Sequence, residues 1–324
     1  MPYYHVDVFS SRPFAGNGLI VFPEAGGLST EDMQVLTQEM RQYESIFLTS
    51  IGGDGVGEGT GSTAGGHGIG DGAGIAGGHD SEGTAVHARI FTCTEELAFA
   101  GHPVLGAAAT LHDLLRPSDQ QAGWVFQLKE KTVAVTTDKK EYGYDGIMNQ
   151  GQATFGRVLD AIETKELLSL IGATPADLYP GFYPTVVTTG LSYLIVPLYD
   201  NKFRARIGAP GVEEKLQAAG ARFIGLLDIA ASGGKGEDLI LSIRTGDNDG
   251  SVEDIATGSL AGPAGAFLVK HGLVPSDNMM EIRQGKNLGR DSRLYVELVS
   301  RPDGTKDVMV KGSVCKIAKG VMEV

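Results

Sequence analysis

The chain has 324 residues, room for two ordinary domains or one large one, and 42% of them are hydrophobic, enough for a sizeable core. With 27 Lys and Arg against 40 Asp and Glu the net charge is -13. That balance, with no Lys/Arg-rich run, excludes nucleic acid and anionic membranes as expected partners. A small anionic substrate stays open, because helix N-termini supply local positive potential without net charge. The two cysteines, Cys93 and Cys315, suggest neither a metal pair nor a disulfide framework, and both are expected to be packing residues. The start "MPYYHVDVFSSRPF" lacks the features of a signal peptide, and no apolar run is long enough to span a bilayer. A soluble, cytoplasmic protein is the expectation.

In chain order, "YYHVDVFS" is strand-like, and "PFAGNGLIVF" turns on glycines into a second strand. "STEDMQVLTQEMRQY" opens with Ser29 and two acids and then places Met33, Leu36 and Met40 at helical spacing. "ESIFLTS" is a strand, with Glu44 where the helix hands over to it. The next segment, residues 52–83, is nearly half glycine. It matches no phosphate-binding pattern, and its His67 and His79 lack the flanking set of a zinc site. It reads as an insertion in a hairpin between "ESIFLTS" and "TAVHARIFT", since lengthening a surface loop has only a logarithmic entropic cost. A helix of small residues, roughly Pro103 to Leu115, follows "AFAGHP". Then come a hairpin in "WVFQLKEKTVAVTTD", a helix ended by Gly172, two strands around Gly190, a helix ended by Gly220 and strands in "RFIGLLDIA" and "DLILSIRTG". A second small-residue helix spans roughly Leu260 to Lys270, and the tail alternates like strands joined at Asp303-Gly304.

The two halves read as degenerate copies. The expected division is residues 1–122, residues 123–305 and a closing segment 306–324 that returns to the first half. A helix of Ala and Gly lets other elements approach from every side, which suits a central helix wrapped by a sheet. Its N-terminus is then buried, with orphan N–H groups to satisfy. Two such N-termini facing each other across a cleft make an anion-stabilising site. His102 stands at one mouth and Ser259 at the other.

Five stretches, "VDVFSSRPFAGNGLIVF", "QEMRQYESIFL", "RIFTCTEELAFAGHPVLGAA", "EDIATGSLAGPAGAFLVKHG" and "IRQGKNLGRDSRLYVEL", together resemble the phenazine-biosynthesis isomerase (PhzF-like) family of the diaminopimelate-epimerase-like superfamily. The resemblance implies an α+β fold of two pseudo-symmetric domains, each a mixed, mostly antiparallel sheet around a central helix. It implies acid/base chemistry in the inter-domain cleft with no cofactor and no metal, on a small-molecule substrate. Motif by motif, the family's proton-carrying glutamate falls on Glu44, its GHP histidine on His102, its acid before the ATGS turn on Asp254 and its turn serine on Ser259. The first-hairpin asparagine falls on Asn17. Gly101, Gly258 and Ser259 then offer helix-mouth amides to a substrate carboxylate. The chain departs from the family pattern at Gly18, Ser45 and Ile255, which leaves ring specificity open. The superfamily's two-thiol racemase mechanism is excluded, because the helix mouths carry His102 and Ser259.

Each residue also has a plainer reading. Glu44 can be a solvated charge, or a carboxyl raised by burial beside Tyr43 and Phe47 for proton transfer near neutrality. His102 can cap its helix, although Gly101 before it and Pro103 at the first helical position favour a site role. Asp254 can form a turn, or hydrogen-bond the imidazole and fix its tautomer. Ser259 is a helix N-cap by default. "GSLAG" is not a nucleophile elbow, which argues against a Ser-His-Asp hydrolase. The leading expectation is a cofactor-independent isomerase that moves a proton between carbons of a small, carboxylated, unsaturated metabolite. An epimerase or racemase of the same fold and a non-catalytic interaction protein are the alternatives, and a homodimer is the one self-association allowed for.

Overall fold

The computed structural model describes residues 1–52, 83–199, 204–230, 240–275 and 278–323. The glycine-rich insertion, with His67 and His79, lies almost wholly outside them. The elements run β1 (Pro2–Val8), β2 (Asn17–Phe22), α1 (Thr30–Met40), β3 (Glu44–Ile51), β4 (Thr84–Thr92) and the short β5 (Glu96–Leu97). Then come α2 (Gly101–Leu115), β6 (Gln121–Gln127), β7 (Thr132–Lys140), β8 (Gly143–Gln152), β9 (Thr154–Val158) and α3 (Ala161–Leu170). The second half adds β10 (Thr185–Thr188), β11 (Ser192–Tyr199), α4 (Val212–Ala219), β12 (Phe223–Ala230), β13 (Ile240–Arg244), α5 (Gly258–Lys270), β14 (Met280–Gln284), β15 (Ser292–Ser300) and β16 (Lys306–Val321).

The strands form two rolls that share one member. The first closes on itself in the order β1-β2-β3-β4-β6-β7-β8-β16, with β16 paired back onto β1. The second runs β16-β15-β14-β13-β12-β11-β10-β9. At 16 residues β16 is long enough to serve both. The closing segment therefore belongs to both rolls, and the expected boundary after residue 122 falls inside β6. Strand β6 pairs in parallel with β4 across the α2 crossover and antiparallel with β7, so the first roll continues to the end of β8.

Each roll wraps one helix. Helix α2 is buried continuously from Gly101 to His112, and α5 from Gly258 to Leu268. The small residues are there for close approach. A Cβ on Gly106 would meet Leu19 Cδ2 at 2.4 Å, and one on Gly265 would meet Val296 Cγ1 at 2.6 Å. Alternation sorts the strand residues. In β2 and β3, Leu19, Val21, Ile46 and Leu48 point inward to α2, while Ile20, Phe22 and Phe47 point outward to Met33 and Leu36 of α1. In the same way Leu194 and Val196 of β11 face α3 and α4, and Tyr193 and Ile195 face α5. The single Trp124 is a core residue of the first roll, its Nε1 donating to Thr137 at 3.1 Å. The ends of β3 and β4 at Gly52 and Thr84 belong to one antiparallel hairpin, which the insertion connects. Among the described residues, no helix is long and apolar enough to cross a membrane.

Candidate active site

Helices α2 and α5 meet N-terminus to N-terminus. A Cβ on Gly101 would stand 3.1 Å from the Gly258 Cα and carbonyl carbon and from the Ser259 nitrogen. Any side chain here would push the two mouths apart by a few tenths of an ångström, so the glycine brings them to one place. Beside it opens a cleft of about 450 Å³ whose wall includes Glu44, Asp254, Ser259, Tyr43, Tyr193 and Thr257. Three of the seven sequence-predicted residues thus line the cleft. Asn17 and His102 lie behind the wall, almost fully buried, and Gly101 and Gly258 are taken up by the helix-helix contact.

Glu44 begins β3, next to Leu19 of β2 and Thr92 of β4. It shares the inward face with Ile46 and Leu48. Phe47, expected beside it, points to the other side of the sheet. The Glu44 side chain is 6% exposed, and its Oε2 accepts no hydrogen bond. Burial drives its carboxyl well above the usual carboxylate range, and the charge of Asp254 adds to the shift. His102 Nδ1 lies 3.4 Å from Glu44 Oε2 and 3.4 Å from the Asn17 amide nitrogen. Burial lowers the imidazole to about 3, so it is neutral at physiological pH. The contact is therefore between a neutral ring nitrogen and a carboxyl that readily holds a proton.

Asp254 is tied differently from the expected Asp-His pair. The Asn17 amide donates to its Oδ1 at 2.8 Å and to the Ala256 carbonyl at 2.9 Å, while the Thr257 hydroxyl donates to Oδ2. Asn17 therefore stands between Asp254 and His102. Burial raises Asp254 to about 6, against the lowering effect of the hydrogen bonds from Thr257, Asn17 and the backbone. Gln284, which the sequence reading missed, completes the turn. Its Nε2 donates to the Asp254 carbonyl at 2.9 Å and to Thr257 Oγ1 at 3.0 Å, and its Oε1 accepts from the Thr257 N–H at 2.8 Å.

Both helices also start two residues earlier than expected. The N-cap of α5 is Thr257, and Ser259 is its second residue, 2.8 Å from the Tyr193 hydroxyl. Helix α2 starts at Gly101 after the N-cap Ala100, which puts Pro103 third, still within the turn whose N–H groups have no helical partner. Tyr193 and Tyr43 were also missed. Burial raises both phenols, with nearby carboxylates adding to the effect, so both remain neutral donors. Tyr193 was findable: it alternates with Ile195 on an apolar, inward face, where a hydroxyl needs a partner. Cys315 is buried as expected, but Cys93 is exposed and lines the cleft. It sits past the end of β4, where alternation no longer turns residues inward. Among the described residues, no cluster of His, Cys, Asp and Glu could hold a metal ion.

The family model described as phenazine biosynthesis-like protein, PhzC-PhzF, matches residues 6–320. The chain belongs to that family. Its solved-structure neighbours include a protein from Pseudomonas aeruginosa described as a predicted epimerase, with a TM-score of 0.80 and 38% identity over 100% of this chain and 99% of that one. The uncharacterized isomerase YddE of Escherichia coli O157:H7 is 28% identical, covering 96% of this chain and 94% of its own. The trans-2,3-dihydro-3-hydroxyanthranilate isomerase of Pseudomonas aeruginosa is also 28% identical, covering 98% of both chains. The fold is that of the diaminopimelate-epimerase-like proteins, and the enzyme class is isomerase.

The raised Asp254 gives a stability signature. Its folded value of about 6 lies above the unfolded 3.8, so the folded state binds more protons between them. The stabilisation from the protonated form is complete below about pH 4 and lost as pH rises through about 6. Asp254→Asn removes this dependence, so its Tm relative to the parent rises across that window, by the equivalent of about 3 kcal/mol at most. A Tm difference that stays flat from pH 4 to pH 7 contradicts the assignment.

Proposed function

We propose that the protein moves a proton between two carbons of a small carboxylated, unsaturated metabolite, without a cofactor, and that Glu44 carries the proton. The observation that carries this reading is the placement of Glu44: a buried carboxyl without a hydrogen bond to Oε2, raised well above its ordinary range, on the wall of the cleft at the two helix mouths. Ionised, it takes a proton from one carbon. Protonated, it returns that proton to another, and burial favours the proton-carrying form beyond what an ordinary glutamate shows. As negative charge develops on the substrate, the neutral phenol of Tyr193, the Ser259 hydroxyl and the unpaired N–H groups of the first turns are the available donors. Asp254, held by Asn17 and Thr257, faces the same cleft and favours the protonated form of Glu44 by its charge.

A second reading, epimerisation, is favoured by one observation. Asp254 is a second buried carboxyl on the wall, with a value of about 6, as an acid acting on the opposite face of a carbon requires.

The first compound to offer is trans-2,3-dihydro-3-hydroxyanthranilate, named for the curated relative above, followed by other unsaturated carboxylates. Turnover is run in deuterium oxide. Isomerisation by one carboxyl gives a product with a moved double bond and a new hydrogen on one face. Solvent deuterium at an inverted centre, with no double bond moved, supports epimerisation and counts against the proposal.

A further inference from the structure

The hydrogen bond from Asn17 to Asp254 joins the two halves of the site, and one segment holds both of its ends. That segment is residues 284–290, from the last residue of β14 into the loop before β15. On the Asp254 side, Gln284 bonds the Asp254 carbonyl and Thr257. The loop lies against the same turn: a Cβ on Gly285 would stand 2.5 Å from the Ile255 carbonyl oxygen. On the Asn17 side, Arg290 reaches across to the hairpin loop between β1 and β2. Its Nε donates to the Gly16 carbonyl at 2.7 Å, and its Nη2 to Asp7 Oδ1 at 2.6 Å and to the Ala15 carbonyl at 3.4 Å. Asp7 lies on β1 opposite Gly18, and its Oδ2 accepts the Phe14 N–H at 2.7 Å. Arg290 and Asp7 thus clamp all three residues that lead into Asn17.

The hairpin loop needs such a clamp. Phe14 and Gly16 both lie in the left-handed region, with φ 63° and 73°. Glycine takes this conformation freely, but a phenylalanine there is strained and persists only where its surroundings impose it. The Phe14 ring is 74% exposed, so its own packing does little to hold the loop. The Asp7 side chain is 1% exposed, which shields the pair from water on its acidic side and strengthens the charge-assisted bonds. Arg290 itself does not line the cleft.

We infer that Arg290, paired with Asp7, is a positioning residue of the site: it sets the hairpin so that Asn17 donates to Asp254 and stands beside His102. The inference rests on the reading of this cleft as the site of reaction. Its consequence is electrostatic. The Asn17 amide stabilises the charged form of Asp254, and the charge of Asp254 adds to the hold of Glu44 on its proton. A hairpin that drifts weakens the first bond and changes both carboxyls.

The test is carbon-13 NMR of side-chain-labelled aspartate in the free protein, with Asp254→Asn to assign the resonance. Asp254 faces Glu44, Tyr43 and Tyr193 and is bonded to Asn17 and Thr257, and all of these are kept in the Arg290 variants. The parent Asp254 is expected to titrate at about 6. In Arg290→Gln it titrates about half a unit higher or more, because a hydrogen bond to the charged form is weakened. Arg290→Lys keeps the charge beside Asp7 but lacks the planar fork that serves Asp7 and Gly16 together, so it falls in between, and it decides the matter if Arg290→Gln does not fold. Asn17→Ala removes the bond itself, and in that background Arg290→Gln adds nothing. An Asp254 unmoved in the Arg290 variants overturns the inference. So does an equal shift in the Asn17→Ala background, which means that Arg290 acts by its charge alone. A merely structural arginine lowers Tm and leaves Asp254 where it was. The titration needs no substrate: if Glu44→Gln keeps activity while Asp254 moves as expected, the proton-transfer reading fails and the Arg290 assignment stands.

Discussion

Glu44→Gln is expected to lower kcat about a hundredfold or more, leave KM close to the parent value and raise the melting temperature. The loss follows from removing the one titratable group of the wall that is both buried and without a hydrogen bond to its Oε2. The shape barely changes, so substrate contacts persist. The gain in stability follows from the same burial. A folded value above the unfolded one means that ionising Glu44 works against the fold, so its unfavourable contribution grows as pH rises. The amide cannot ionise, and its Nε2 can donate to His102 Nδ1, which already faces the carboxyl at 3.4 Å. The Tm gain should therefore be larger at pH 8 than at pH 5. A variant that keeps a tenth of the parental kcat, or that melts below the parent at both pH values, does not fit this role.

Gly101→Ala is expected to lower both stability and activity. The added methyl meets three backbone atoms of Gly258 and Ser259 at 3.1 Å, and none of them is the end of a flexible side chain. One helix mouth must move relative to the other by a few tenths of an ångström. Overpacking of this kind costs about 1–3 kcal/mol. The displacement also shifts His102 and Ser259, the next residues on each helix, and small errors in placement are expensive in catalysis, so kcat should fall about tenfold. Gly27→Ala is the control: a Cβ there meets nothing within 4 Å. Its Tm and kcat should match the parent. An unchanged Tm and kcat in Gly101→Ala would mean that the helix mouths tolerate movement and that the close contact does not set the site.

How far this arrangement can be read from sequence depends on the range of each signal. Glu44 was legible because a capped helix ended just before a β-branched and aromatic run, a local pattern. The two small-residue helices were legible for the same reason. Strand β8 was not, because "GYDGIMNQGQ" has no clean alternation: Gly146 is there to admit Leu105, whose Cδ2 would lie 2.9 Å from a Cβ. Neither was the extent of the first roll, since the parallel β4–β6 pairing and the sharing of β16 are long-range choices made by packing on α2. The expected Asp254–His102 bond failed in an instructive way. Residue type permitted it, but Asn17, at the start of β2, donates its amide to the carboxylate and stands between Asp254 and the ring.

The central claim is that burial in the cleft wall makes Glu44 hold its proton to higher pH than an ordinary glutamate does. Carbon-13 NMR of side-chain-labelled glutamate, with Glu44→Gln to assign the resonance, measures this directly. The account predicts a Glu44 carboxyl that titrates well above the ordinary glutamate range and moves lower in Asp254→Asn, where a neighbouring negative charge is gone. A Glu44 that titrates in the ordinary range, unmoved by Asp254→Asn, would contradict it.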